Sequence, residues 1–573
     1  MAKIKPRNAF SKYTVNGFGG IGSASPLSGA GAVDVVNFRI RPDGTLAPRE
    51  GTRILWSFDG SGEIRGFWDG SVQSQSLTVA AVGNRVYRLD SSAQRKTPCG
   101  TLNHTAGRVR FALFRDVLYL LDGDTILYWN ASAQHFEAII PYAPLYGYMW
   151  DPHKMGTVNE PLNLLSPHIR IHYLNTTGST SFYLPFTPTQ IDSIRSPTKR
   201  LEEYTFSADS NVVTVPEAAS CAEVIISMAV NIDTSVEEKI LHAKSAHVYT
   251  KEGCETLLLY GSDGDWRTYC SAPVSDSDLN VCRAYYPGAL PVYFRGNDVL
   301  FLGDSEHPVT AITPHFDCLL AFNNTQTWLL QPGTERIIDA YALINDTGAV
   351  SSDAVTLCGE TPATVTDSGV YLIQSSTTRP EILTYKCIST PVWDMLSPAT
   401  RRAPILYRSI RDDELWLSNA ADEDGVIWVY SLQKKEWYRF TGLSISFFAE
   451  CSEGTVFASG NRLVLFDKSH STDCGNAFQC AYVSNYCDFG RPESTRRSLR
   501  ANVCASLDGG VAELTVTTER GSKHFSLVGK QQEAPESFDL RIPMGRHRFL
   551  QFAIELPASR GSALYKAGFY ANC

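Results

Sequence analysis

The sequence predicts an all-β protein: an irregular β-propeller of six to eight blades, with an inserted small β domain and a C-terminal β-sandwich-like module. Three observations carry this expectation. Strand-like runs of about four to seven residues, bounded by Gly, Asn, Asp and Pro, fill most of the 573 residues. Tyr (26), Phe (27) and Trp (10) are plentiful beside 42 Gly and 29 Pro, the mixture that many short strands and tight turns require. One hairpin pattern also recurs along the chain.

Residues 1–50 are Gly/Ser-rich, then strand-like at Ala32–Ile40, and are expected to form an N-terminal arm and first strand, flexible or ordered only by a partner. Residues 51–168 are expected to hold the first blades and a long loop. Their hairpin AVGNRVYRLD (81–90) matches ASGNRLVLFD (458–467), and a third copy begins RGNDVLFLGD at Arg295. Gly-Asn between apolar runs reads as a two-residue turn, because both residues tolerate positive φ. The stretch 141–168 is rich in Pro, Gly and Asn, lacks alternation, and reads as an ordered loop. Residues 169–234, with SFYLPF and NVVTVP, read as the inserted β domain.

Residues 235–470 are expected to carry the remaining blades. Turns near Asn324, Ser368, Asp413 and Gly460 lie 44, 45 and 47 residues apart, within the blade repeat of about 40–50. GVIWVYSLQKKEWYRFTGL (425–443) reads as an outer hairpin. Val236–Lys244 is the best helical candidate. Residues 471–573 lose the repeat and read as a separate antiparallel module, with strands near Gln479–Tyr486, Leu499–Ala505, Ala512–Thr518 and Phe549–Leu556.

Bulk charge narrows the function classes. Lys+Arg total 51 and Asp+Glu 60, a formal net charge of −9. That argues against a nucleic-acid clamp but not against a pore through which DNA slides. MAKIKPRNAF lacks the apolar stretch of a signal peptide, and no run of about 18 apolar residues occurs, so no membrane insertion and production in a cytoplasm are expected. The 14 cysteines contain no C-x-x-C. Cys474, Cys480 and Cys487, with His470 nearby, are too widely spaced for a zinc site. The sequons at Asn103, Asn130, Asn175, Asn323 and Asn345 read as chance.

The chain is expected to be no enzyme, with no catalytic, cofactor-binding or metal residues. It lacks G-x-S-x-G and the Walker loop. Gly17-Phe18-Gly19-Gly20 lacks the strand-to-helix context of a phosphate cradle. A propeller glycosidase would need paired carboxylates. Asp59, Asp122, Asp304 and Asp367 are candidates, but they fall at turns, where Asp is favoured for local hydrogen bonds. His168 and His172 share one strand face, with His153 across the loop, yet no acidic ligand stands out beside them. Arg491, Arg496, Arg497 and Arg500 form a basic cluster that reads first as a charged strand edge.

Three segments carry a family resemblance. DVVNFRIRPDGTLAPREGT (34–52), through Asn37, Gly44, Leu46, Arg49 and Gly51, resembles the opening signature of phage tail nozzle proteins, the tail tubular protein B-like group. GTVNEPLNLLSP (156–167) looks like a loop of related propeller-bearing phage proteins, and FGRPESTRRSL (489–499) resembles a strand-linking segment of that group. The resemblance implies a virion structural protein of a tailed bacteriophage, located in the tail and assembled in the host cytoplasm. It implies a homo-oligomer, a hexamer in the relatives, that contacts adaptor or portal-side proteins and tail fibres or spikes. Genomic DNA would pass through its channel without sequence recognition. No cofactor is implied. The rival from another class is a carbohydrate-binding or glycan-hydrolysing propeller for host recognition, and a kelch-like cellular scaffold ranks third.

Overall fold

The computed structural model describes residues 10–22, 31–334, 336–343, 347–376, 378–422, 424–489, 495, 497–531 and 534–572. The protein is all-β, 52% strand and 6% helix, with many sheets and none closed into a barrel. The chain divides into two compact units. One comprises residues up to Ile64 together with those from Ala349 onward, and the other is Arg65–Gly348.

The recurring element is a four-stranded antiparallel meander. Among the described residues, six take their strands from one consecutive stretch: 64–101, 110–138, 245–301, 311–342, 355–387 and 405–440. A seventh, spanning Phe447–Cys451, Gly454–Ser459 and Arg462–Asp467, receives its fourth strand, Gly51–Ser57, from far upstream. Inner strands such as Cys318–Phe322 and Glu414–Ser418 are buried throughout. A strand covered on both faces is nearly all apolar rather than alternating, which is why LLAF and LWLS carry no period-two signal.

The turns account for the repeat. Val82 pairs with Arg85 around Gly83-Asn84, and Ser459 with Arg462 around Gly460-Asn461, so both are two-residue hairpins. The third copy differs. Gly296-Asn297 lies inside the strand Phe294–Phe301, at a register shift opposite Tyr269–Ser271. Phe294 and Arg295, the strand residues before Gly296, belong to this same strand, so no second strand exists there to make a hairpin. The even spacing of the four later turns mixes two kinds. Turns at 323–326, 367–368 and 460–461 join second to third strands, whereas 410–413 joins a first to a second.

Between the second and third meanders the chain builds a mixed sheet from Leu145–Trp150, His168–Leu174, Glu223–Ala229 and Gln190–Arg195, and a smaller sheet from Ser181–Tyr183, Val212–Thr214 and Thr205–Ser207. Trp150, Ile171, Phe182, Val213 and Ile226 share its core. The stretch 141–168 is therefore not wholly a loop. Leu145–Trp150 pairs parallel to His168–Leu174 through two register shifts, and such irregular pairing leaves no alternation to read. A helix forms at Thr234–Leu241, capped by Asp233, where a helical pattern is legible. A second, Asp276–Tyr285, capped by Ser275, was not anticipated.

The C-terminal strands form two layers around one apolar cluster. One layer contains Gln479–Ser484, Leu550–Pro557, Val511–Thr518 and Gly521–Val528, and the other Arg497–Ser506, Ala563–Asn572 and Glu536–Arg541. Tyr482, Leu514, Phe552, Val503 and Phe569 meet between them. The early residues complete these layers instead of forming a free arm. Phe10–Val15 pairs antiparallel with Ala563–Asn572, and Ala32–Val36 with Gln479–Ser484. Edge positions in both sheets are filled in this way, which satisfies backbone groups that an exposed edge would leave open. Residues 1–9 and 23–30 lie outside the described residues.

Candidate functional site

The segment 37–51 carries a dense polar hydrogen-bond network in its unit. Asn37 interrupts two strands with φ +57°, a conformation Asn tolerates better than most residues. Its amide links distant segments: Nδ2 donates to Gln479 O (2.8 Å) and Thr441 Oγ1 (3.1 Å), while Oδ1 accepts from Thr441 N (2.9 Å) and Arg49 Nε (3.0 Å). Gly44, at φ +84°, packs so close to Gly17 that a Cβ would meet its Cα at 2.6 Å. That contact explains Gly17-Phe18-Gly19-Gly20 as packing against the turn, with Phe18 N donating to Gly44 O.

Arg49 is fully buried. Its guanidinium donates to Asp473 through Nη1 (2.9 Å) and Nη2 (2.6 Å), to Glu50 O (2.9 Å) and to Thr441 O (3.3 Å), and it stacks 4.0 Å over the Phe478 ring. A planar fork uses all its donors here as an ammonium could not. Beside it, Arg39 donates to Glu50 through Nε (2.9 Å) and Nη2 (3.0 Å), approaches Asp412 at 3.3 Å and pairs with Glu414. Arg411 also pairs with Glu50. Burial alone would raise the Glu50 pKa, but Arg39 and then Arg411 outweigh it and hold the carboxyl at about 2. Glu414 further accepts from Trp416 Nε1 (2.7 Å) and from the Tyr438 hydroxyl.

Over this network opens a cleft of about 370 Å³. Arg39, Arg41, Pro48, Arg49, Glu50 and Asp412 line one side, and Lys468, His470, Ser471, Ser559, Arg560 and Ser562 complete it.

The segment 156–167 is organised the same way in the other unit. Asn163 is fully buried, with Nδ2 donating to Tyr142 O (2.8 Å) and Val292 O (3.0 Å) and Oδ1 accepting from Leu165 N (3.1 Å) and Phe294 N (3.0 Å). Glu160 accepts from the Tyr142 hydroxyl (3.0 Å) and from Leu145 N. Arg170, in the strand His168–Leu174 of the inserted sheet, donates to Ala143 O (3.0 Å) and to the Tyr142 hydroxyl (3.2 Å), and Asn163 joins this segment to Phe294 at the start of the strand Phe294–Phe301.

The other residues singled out in the sequence serve local roles. Asp122 Oδ1 accepts from Asp124 N (3.0 Å) and Thr125 N (2.9 Å), Asp304 Oδ1 from Glu306 N and His307 N (both 2.9 Å), and Asp59 from Ser57 Oγ (2.8 Å) and Asn461 Nδ2 (3.1 Å). Asp367 occupies the two-residue turn between Thr366 and Gly369. His168 pairs with Asp192 at 2.8 Å and His172 with Glu223 at 3.2 Å, each histidine with its own carboxylate. His153 N donates to Asp151 in a turn.

No group of three or more His, Cys, Asp or Glu suited to a metal ion occurs among the described residues. Cys480 and Cys487 are buried and Cys474 is exposed. Asn175 and Asn323 are buried, and both cap turns, so neither presents a glycosylation acceptor. Arg491, Arg496 and Asn345 lie outside the described residues, and Arg497 and Arg500 belong to the strand Arg497–Ser506. No helix is long and apolar enough to cross a membrane.

Sequence reasoning found Asn37, Gly44, Arg49 and Gly51 but missed Arg39, Glu50, Glu414 and Asp473. Arg39 and Glu50 are only 11 positions apart, but Arg39–Glu414, Arg411–Glu50 and Arg49–Asp473 join residues more than 350 positions apart, and a charged residue that will be buried by such a partner looks like any surface charge.

No protein-family model matches the chain, and no curated protein does. A solved chain described as the structure of U3-55K aligns with 73% of this chain and 98% of its own length, at 9% identity and a TM-score of 0.31.

Proposed function

We propose that this chain is a structural protein of a tailed-bacteriophage particle, a seven-bladed β-propeller platform in the tail nozzle. In this reading copies assemble into a ring, a hexamer by the family resemblance, and DNA passes through the centre. The observation that carries it is the fate of the resemblance segments. Asn37 and Arg49 in one, and Asn163 in the other, are buried, and together with the half-buried Glu160 they bond segments distant in sequence. Segments that resemble a family in sequence and also hold the architecture are the positions at which a diffuse resemblance carries most meaning.

Three further features favour the reading. The seventh meander is closed by an upstream strand, Gly51–Ser57, the arrangement by which a chain of blades is fastened into a ring of blades. The Asp residues that a glycosidase would need for catalysis are occupied in turn hydrogen bonds. A net charge of −9 per copy gives an assembled ring an acidic character that repels the DNA backbone and lets it slide. Native mass spectrometry of the purified chain, alone and with adaptor or portal-side proteins of its phage, tests this. Closed homo-oligomers or a complex with those proteins is expected. A monomer that binds neither contradicts the reading.

A further inference from the structure

The cleft above Arg49 has more cation than its own carboxylates balance. Arg49 is matched by Asp473, and Arg39 and Arg411 by Glu50, Asp412 and Glu414. Lys468 and Arg560, on the opposite rim, have no ion pair or hydrogen bond of the side chain among the described residues, and Arg41 has no carboxylate within ion-pair distance. The hydroxyls of Ser471 and of the buried Ser562 likewise have no partner there. Six cations therefore stand against four carboxylates, a surplus of two positive charges, and in a chain of net charge −9 a concave site with that surplus and two unengaged hydroxyls favours an anion.

The form of the cleft narrows the anion. Its donors come from three separate segments, 39–50, 468–471 and 559–562. A planar carboxylate carries one charge and is bound best by a single fork. A tetrahedral phosphate carries up to two and accepts from several directions. The volume, about 370 Å³, far exceeds a phosphate ion alone and falls among pockets that hold small organic ligands. Ala47 and Pro48 supply an apolar wall.

We infer that this cleft binds the phosphate group of a phosphate ester, with Arg41, Lys468 and Arg560 as the principal donors and Ser471 and Ser562 assisting. The site does not depend on the tail reading. The ester has two sources, a free nucleotide and the backbone of DNA.

Isothermal titration of the full chain with deoxyadenosine monophosphate, deoxyadenosine and a 12-base-pair DNA duplex at low salt separates them. The same titrations use the double variant Lys468→Ala, Arg560→Ala, whose changes are on exposed side chains and leave the thermal midpoint in place. Saturable binding of the nucleotide or the duplex, weakened about tenfold or more in the variant, is expected. Nucleotide without duplex identifies a free ester. Duplex binding whose salt dependence flattens by about two phosphate contacts in the variant identifies the DNA backbone. No saturable binding of either, equal affinity for deoxyadenosine and its monophosphate, or a variant that binds as tightly as the parent overturns the inference.

Discussion

Arg49 and Asp473 form a bidentate ion pair across 424 residues of sequence, with Nη1–Oδ1 at 2.9 Å and Nη2–Oδ2 at 2.6 Å. The arginine side chain is inaccessible to solvent and the aspartate 15% exposed. The pair joins the N-terminal segment to the strand Thr472–Asp473 just ahead of the C-terminal module. Removing the guanidinium leaves the Asp473 carboxylate, the Asn37 carbonyl and the Thr441 carbonyl short of donors in a desolvated place. Arg49→Ala is expected to lower unfolding stability by about 3–5 kcal/mol. Arg49→Lys should recover less than half of that loss, because an ammonium cannot make the fork. Urea titration followed by tryptophan fluorescence measures both.

Glu50 sets an acid limit on the same unit. Its folded pKa, about 2, lies below the unfolded value of about 4.3, so the unfolded chain takes up the proton first as pH falls. The stabilisation is fully present above about pH 4.3 and is lost as pH falls toward 2. Its size at neutral pH is on the order of 3 kcal/mol. In Glu50→Gln the unfolding free energy should fall less steeply between pH 5 and 2 than in the parent, and it should be lower at pH 7 because Arg39 and Arg411 lose a shared partner. Chemical denaturation at a series of pH values reads out both effects.

Asn163 is the corresponding test in the other unit. Its side chain serves two carbonyls and two amides, of Tyr142, Val292, Leu165 and Phe294. Asn163→Ala leaves Tyr142 O, Leu165 N and Phe294 N without this partner, while Val292 O keeps Tyr142 N (3.2 Å), and is expected to destabilise by about 3 kcal/mol or more, given roughly 1–3 kcal/mol for each buried group left unsatisfied. Asn163→Asp retains the acceptor alone and should cost nearly as much. Amide exchange at Leu165 and Phe294 should accelerate in both variants.

Thiol reactivity follows burial. Cys254, Cys387 and Cys474 are exposed, whereas Cys99, Cys270 and Cys480 are buried. Burial pushes the thiols of Cys99 and Cys480 up to about 12. The thiolate is the reactive species. Brief treatment of the native chain with a maleimide, followed by peptide mapping, is expected to modify Cys254, Cys387 and Cys474 and to spare Cys99, Cys270 and Cys480 until denaturant is added.

Local signals were legible and long-range ones were not. The hairpins at Gly83-Asn84 and Gly460-Asn461 follow from the positive φ that glycine supplies, and the four C-terminal strands expected from alternation fall within a few residues of those observed. Strands Gly521–Val528 and Ala563–Asn572 escaped because exposed polar residues or Gly and Ala dilute their pattern. The early residues read as an arm because their pairing partners, such as Ala567 for Val15, stand more than 500 positions away. For the site, Asn37 and Arg49 were visible through a resemblance. Glu50, Glu414 and Asp473 acquire their meaning only when the strands that bear them meet.

The central claim is tested most directly by single-particle cryo-electron microscopy of the purified full-length chain at a resolution that separates strands. The account predicts rings of identical copies around an open channel, each copy showing seven four-stranded blades with Gly51–Ser57 completing the last. Isolated single copies, or meanders arranged other than around a common axis, would contradict it.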